Sequence, residues 1–201
     1  MFYEPRKGGP FKINPFKSLV FPRPIGWISS ISKNGIANLG PYSYFNAVAD
    51  EPPQVMFCSN GSSTHSKFKD TVTNILSTKE FVVNFATSTL RNQMNISSKD
   101  FKPYEDEFFL SNLKKKKSKL VNAPSVKDSP VNLECKLVKT IKLNSNSKKI
   151  SIMIIGEVIG IFINDKFIKN NRVDSVSMSY IARMGYSEYT TVTSKFNMKR
   201  R

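Results

Sequence analysis

Residues 150–163 are the most hydrophobic stretch of the chain and read as one long strand. Ile150, Ile152, Ile154, Val158 and Phe162 fall on one face, while Met153, Ile155, Ile159 and Ile161 make the other face largely apolar too. A strand with two apolar faces needs cover on both sides. Either a helix or a second subunit can supply it; with helices this few, a homodimer is the expectation. Gly156 and Gly160 lie inside the strand, where they point to a bulge or close packing.

Other segments supply partners for this strand. Val131, Leu133, Cys135 and Leu137 alternate strictly with Asn132, Glu134 and Lys136, which marks a half-buried strand. Residues 24–31 and 36–41 read as an antiparallel pair around Lys33-Asn34-Gly35, because Asn-Gly tolerates the positive φ of a tight hairpin. Residues 55–59 form a third apolar strand, entered through Pro52-Pro53, which forbids helix before it. Phe68, Val72, Ile75 and Leu76 recur at helical spacing, predicting an amphipathic helix over residues 67–78. Residues 81–85 are again strand-like, and residues 87–94 and 105–112 suit short helices.

The sum is mainly β: an antiparallel barrel of about six or seven strands with peripheral helices. A βαβ series is absent, so a doubly wound sheet is not expected. The 201 residues suit one domain with a full core, whose centre spans about residues 14–193. No linker, low-complexity segment or internal repeat divides them.

Several function classes are disfavoured by composition. The longest apolar run, residues 152–155, is far below the ~20 residues that cross a bilayer. MFYEPRKGGPFKINPFK has charge and proline where a signal peptide needs an apolar core, so a soluble cytoplasmic protein is expected. One histidine, His65, and no paired cysteines leave a zinc or iron site short of ligands and tell against a Ser-His-Asp triad. Cys58 and Cys135 sit in apolar runs as small buried residues, and a redox role beside a cofactor suits Cys58 better, since it ends its strand next to a polar loop. The net charge of +16 raises nucleic-acid binding. The cluster Lys114, Lys115, Lys116, Lys117 and Lys119 lacks the interleaved aromatics on which single-strand binders stack bases, so that reading is the weaker one. A positive field suits small anionic ligands such as phosphorylated cofactors.

Three polar patches stand at strand ends. They are Trp27, Ser29 and Ser30; then Ser43, Tyr44, Phe45 and Asn46; then Asn60 and Ser62, leading through Lys69, Asp70 and Thr71 into a helix start. A helix N-terminus with Ser, Thr and Lys donors suits a phosphate. Capping by Asp70 or Ser66 is the other use of the same residues. Within residues 23–53, hydroxyl, amide and aromatic groups crowd the end of the second strand, as in a wall for a flat, phosphorylated ligand. No G-x-G-x-x-G follows a strand and no P-loop motif exists.

RPIGWISS, NLGPYSYFNAVADEPP, KDTVTNI, EFVVNF, SPVNLECKLV, GEVIGIFI and IARMGYSEY, colinear over residues 14–189, resemble the flavin reductase-like family of FMN-binding split barrels. The resemblance implies an antiparallel Greek-key split barrel that binds FMN in preference to FAD and takes a hydride from NAD(P)H. It implies no catalytic acid, base or nucleophile and no metal. Some members resemble reductase components that serve a separate monooxygenase; others are flavoredoxin-type electron carriers, and nothing in the sequence separates the two. By the same resemblance Ser29, Ser30, Lys69 and Thr71 contact the phosphate and ribityl chain, with Asp70 inside that motif. Ser43, Tyr44, Phe45 and Asn46 lie along the isoalloxazine ring, and Asn60 and Ser62 fall in the loop between the two patches. Arg183 matches a position where many members read ARLGG; Met184 and Tyr186 depart from that pattern, and a structural salt bridge is the alternative for Arg183. Trp27 is equally core or stacking surface.

Overall fold

Two strands adjacent in the chain form the two opposite edges of a seven-stranded antiparallel sheet. The computed structural model describes residues 1–61, 63, 66–145 and 150–199. Its first strands are β1 (Arg23–Pro24), β2 (Gly26–Ile31), β3 (Ala37–Tyr42), β4 (Phe45–Asp50), β5 (Pro53–Asn60) and β6 (Glu80–Phe85). Further along lie β7 (Lys115–Lys116), β8 (Ser125–Val126), β9 (Val131–Leu143) and β10 (Ser151–Ile163). The last are β11 (Ile168–Lys169), β12 (Arg172–Val173), β13 (Ile181–Gly185) and β14 (Glu188–Thr191). The main sheet runs β3-β2-β6-β9-β10-β5-β4, and β1, β13 and β14 make a small second sheet. Helices are short: α1 (Phe16–Leu19), α2 (Asp70–Thr78), α3 (Arg91–Ile96) and α4 (Glu107–Leu110). None among the described residues is long and apolar enough to cross a membrane.

The sheet curls until its edges approach each other, giving the expected split barrel. Tyr42 at the end of β3 packs its ring 4.7 Å from Phe57 on β5, across the split. The Asn-Gly turn forms as predicted: Gly35 has φ +82°, and Ser32 closes the loop by donating its N–H to the Ile36 carbonyl at 2.9 Å. Residues 45–50 read as a polar wall in sequence but form strand β4, registered on β5 with Phe45 opposite Phe57. Only Phe45 of β4 is buried, so this edge strand shows no apolar alternation to betray it.

β10 buries Ile152, Ile154 and Val158 against Phe57, Phe81 and Ile75 of α2. Each of these side chains contributes roughly 1.5–3 kcal/mol by leaving water. Part of its other face is covered by the same chain. Val121 and Ala123, from an irregular segment of the same chain, pack with Val82 and receive Ile159. Ile161 stays exposed. Bulges occur at Ile155/Gly156 and Val158/Gly160, and at Gly156 a Cβ would overlap the Phe81 ring. The lysine cluster is also structured: Lys115 pairs with Asp106, and the Lys116 ammonium sits 3.0 Å from the centre of the Phe162 ring.

Candidate functional site

A cleft of about 1240 Å³ opens beside the split in the barrel. Its walls come from six places. The β3–β4 connection brings Ser43 and Tyr44, β5 brings Cys58 and Asn60, and Lys69 stands at the start of α2. Arg91 and Asn95 of α3 form another side. The N-terminal arm contributes Phe16 and Lys17, and the β13–β14 hairpin contributes Arg183, Tyr186 and Tyr189. A pocket of about 50 Å³ adjoins it, sharing Tyr42, Lys69 and Ser98 and adding Asn38, Asp70, Thr71 and Glu107.

Backbone pairing sets the rim. The Tyr44 carbonyl accepts the Cys58 N–H at 2.8 Å, which pins the β3–β4 connection onto β5. Arg23 of β1 is buried; its guanidinium donates to the carbonyls of Lys17, Val20 and Met184 and lies 5.8 Å from the Tyr44 ring. One side chain thus ties the arm, the small sheet and the cleft wall together. Gly185 permits the arm to sit directly on β13, since a Cβ there would collide with Ser18.

The electrostatics are one-sided. Lys17, Arg23, Lys69, Arg91 and Arg183 line the large cleft, and no Asp or Glu is among the described residues lining it. At the start of α2, Lys69 is the N-cap residue and its side chain makes no capping bond. The Ser66 hydroxyl donates to the Phe68 carbonyl. The positive end of α2 thus begins beside a lysine.

The small pocket has a different character. Glu107 is buried there and accepts the Leu39 N–H. Burial pushes its carboxyl up to about 8, with nearby Asp70 and Asp106 adding to the shift and the Leu39 N–H and Lys69 opposing it. Burial likewise raises the Tyr42 hydroxyl to about 12. Thr71 lines this pocket, but its hydroxyl donates to Asn38 Oδ1 at 2.6 Å.

The predicted site residues divide into three groups. Ser43, Tyr44, Asn60, Lys69 and Arg183 line the large cleft, and Asp70 and Thr71 line the small pocket. Trp27, Ser29, Ser30, Phe45 and Asn46 line neither. Trp27 is fully buried in the core and donates its indole N–H to Ser97 Oγ at 2.9 Å. Ser29 donates to the Pro124 carbonyl and accepts from Asn84, while Ser30 bonds Asn38 and Asn74. Phe45 packs edge-on to Phe85 in the core, and the Asn46 side chain accepts the Ala47 N–H at the surface. Ser62 and His65 lie outside the described residues.

Arg183 forms no salt bridge among the described residues. Its guanidinium donates to the Tyr186 carbonyl and stacks 4.3 Å from the Tyr189 ring centre. Cys58 does reach the cleft wall, but burial pushes its thiol up, away from the reactive thiolate. Cys135 is buried and both thiols are free. Sequence reasoning missed Phe16, Lys17, Arg91 and Tyr189, which come from three distant parts of the chain and meet only in the fold. Their one available signal was cationic and aromatic character outside any strand-end patch.

Known proteins share this architecture. An uncharacterized protein of Aquifex aeolicus is 38% identical over 182 residues, covering 90% of each chain. The structure of nitrilotriacetate monooxygenase component B from Bacillus cereus superposes with a TM-score of 0.83 at 26% identity, over 95% of this chain and 100% of that one. The flavoredoxin of Desulfovibrio vulgaris (Miyazaki F) has the same fold, with a TM-score of 0.76 at 17% identity over 90% of this chain and 91% of its own. Residues 17–179 match the model of the flavin reductase like domain, and the chain therefore belongs to the flavin reductase-like family.

Proposed function

We propose that the large cleft holds FMN and that the protein is an NAD(P)H-dependent flavin reductase. The observation that carries this reading is a cationic cleft with no lining carboxylate among the described residues, bordered by the start of α2 at Lys69. The donor set suits a phosphorylated flavin: a lysine and the positive end of a helix for the phosphate, and hydroxyl and amide groups for polar ring edges. Lys69 and the first turn of α2 hold the phosphate. Ser43, Tyr44 and Asn60 lie along the ring, and Arg183 adds positive charge to the same wall. FMN supplies the hydride-accepting ring when bound, so the chain itself needs to position two ligands rather than to move protons. That suits a cleft whose lining has neither histidine nor carboxylate among the described residues.

Similarity to a monooxygenase component B supports delivery of reduced flavin to a separate monooxygenase. Exposed Val138, Ile141 and Ile161 on β9 and β10 support a homodimer. The unpaired thiols of Cys58 and Cys135 suit a reducing, cytoplasmic setting.

The test is spectroscopic. The purified protein should show or acquire a flavin absorption band with FMN, and anaerobic NADH or NADPH should bleach it. A yellow protein indifferent to both nucleotides would make it an electron carrier of flavoredoxin type. A colourless protein that fails to bind added FMN would remove both readings.

A further inference from the structure

Arg91 opens α3 on the cleft wall, is exposed, and takes part in no ion pair among the described residues. The other arginines of the cleft are already committed. Arg23 is buried, with its Nη1 donating to three backbone carbonyls, and Arg183 is held by the Tyr186 carbonyl and the Tyr189 ring. Lys69, the proposed phosphate ligand of the flavin, belongs to the opposite end of α3. Ser98, just past that end, borders the small pocket together with Lys69. At 1.5 Å per residue, Arg91 stands about 7.5 Å along the helix from its last residue, Ile96. The cleft therefore has two separated cationic places, and the flavin phosphate accounts for one.

The second place differs from a site for an unphosphorylated ribose. In Rossmann domains a carboxylate holds the ribose 2′-hydroxyl, whereas an arginine accommodates a 2′-phosphate, and the same charge preference applies in a cleft of another fold. This cleft offers arginine and no described carboxylate. We infer that the cleft selects NADPH over NADH, with Arg91 as the specificity-determining residue that binds the adenosine 2′-phosphate. The guanidinium fork matches a phosphate with two parallel N–H donors, which a lysine does not reproduce. Lys17 adds to the field from the arm.

The inference rests on the nicotinamide-donor reading of the cleft, and the experiment keeps the two apart. FMN-loaded protein is titrated anaerobically with NADPH and NADH, and binding of NADP+ and NAD+ is measured separately by calorimetry. The unmodified protein should favour the 2′-phosphorylated nucleotide in both assays. In Arg91→Ala the NADPH-to-NADH ratio of kcat/KM should fall about tenfold or more, the loss of one charge-assisted contact. Arg91→Lys should fall between the two. Equal use of both nucleotides by the unmodified protein, or an unchanged ratio in Arg91→Ala with FMN still bound, would overturn the assignment of Arg91 alone. FMN bound but neither nucleotide binding or bleaching would overturn the donor reading, and the assignment with it.

Discussion

Thr71 Oγ1 donates a 2.6 Å hydrogen bond to Asn38 Oδ1, joining the first turn of α2 to edge strand β3. The same oxygen receives the Ser30 hydroxyl at 3.3 Å, and Asn74 donates to Ser30 at 3.2 Å. Four buried polar side chains thus satisfy one another beside the small pocket, and the Thr71 hydrogen is committed to the protein.

Lys69 and Thr71 should consequently separate by mutation, although they are near neighbours in one motif. Thr71→Ala leaves Asn38 short of a donor and should cost about 1–2 kcal/mol of stability, read by thermal or urea unfolding. Lys69→Ala should leave the unfolding midpoint nearly unchanged and weaken FMN binding by about tenfold, read by flavin fluorescence titration. Unchanged FMN affinity in Lys69→Ala would show that the phosphate lies elsewhere.

Glu107 should make stability fall with rising pH. Its folded carboxyl titrates at about 8 against an ordinary value of 4.5, so between those values the folded protein keeps a proton that the unfolded chain has released. The stabilisation is fully present below about 4.5 and is lost as pH rises through about 8. Glu107→Gln, a neutral isostere able to accept the Leu39 N–H, should flatten that slope and stabilise the protein at pH 9 by on the order of 4 kcal/mol. Parallel stability curves for the two proteins across this range would refute the shift.

Asn84 is the hub of a second buried network. It donates to the Trp27 carbonyl and Ser29 Oγ, and accepts from the Val126 N–H and Asn132 Nδ2. Asn84→Ala strands several of these groups without water and should cost about 2–4 kcal/mol, seen as a lowered denaturant midpoint. A loss below about 0.5 kcal/mol would mean that the network is not formed.

Gly156 faces the Phe81 ring at a bulge in β10. Gly156→Ala should force the ring or strand aside and destabilise by about 1–3 kcal/mol. Phe81→Leu introduced with it should recover part of the loss, because the shorter side chain makes room. No recovery in the double variant would place the strain elsewhere.

Much of the barrel was legible along the chain. The Asn34-Gly35 turn and the apolar run of β10 each report a local choice that the fold keeps. Residues 131–137 do form a strand, but not a half-buried one: Asn132 and Glu134 are buried, held by Asn84 and by the Lys119 and Leu120 N–H groups. β4 was not legible, because an edge strand with one buried residue has no face to pattern. The helix of residues 67–78 was found with its start placed early; the helix begins at Asp70 with Lys69 as N-cap. Polar residues at strand ends were a mixed guide to the site. Ser43, Tyr44, Asn60 and Lys69 reach the cleft, while Ser29 and Ser30 turn inward to satisfy buried asparagines. A hydroxyl reads the same in sequence whether its partner is a ligand or an interior amide.

What the sequence alone determined is most of the main antiparallel sheet and the ordered motifs of the family, since both depend on neighbours a few residues apart. What only the tertiary structure decided is the composition of the cleft. Lys17, Lys69, Arg91 and Arg183 are spread across most of the chain, and they converge because the curled sheet, the arm pinned by Arg23 and the β13–β14 hairpin meet at one rim. Their convergence has no sequence signature, because it depends on distance in space rather than along the chain.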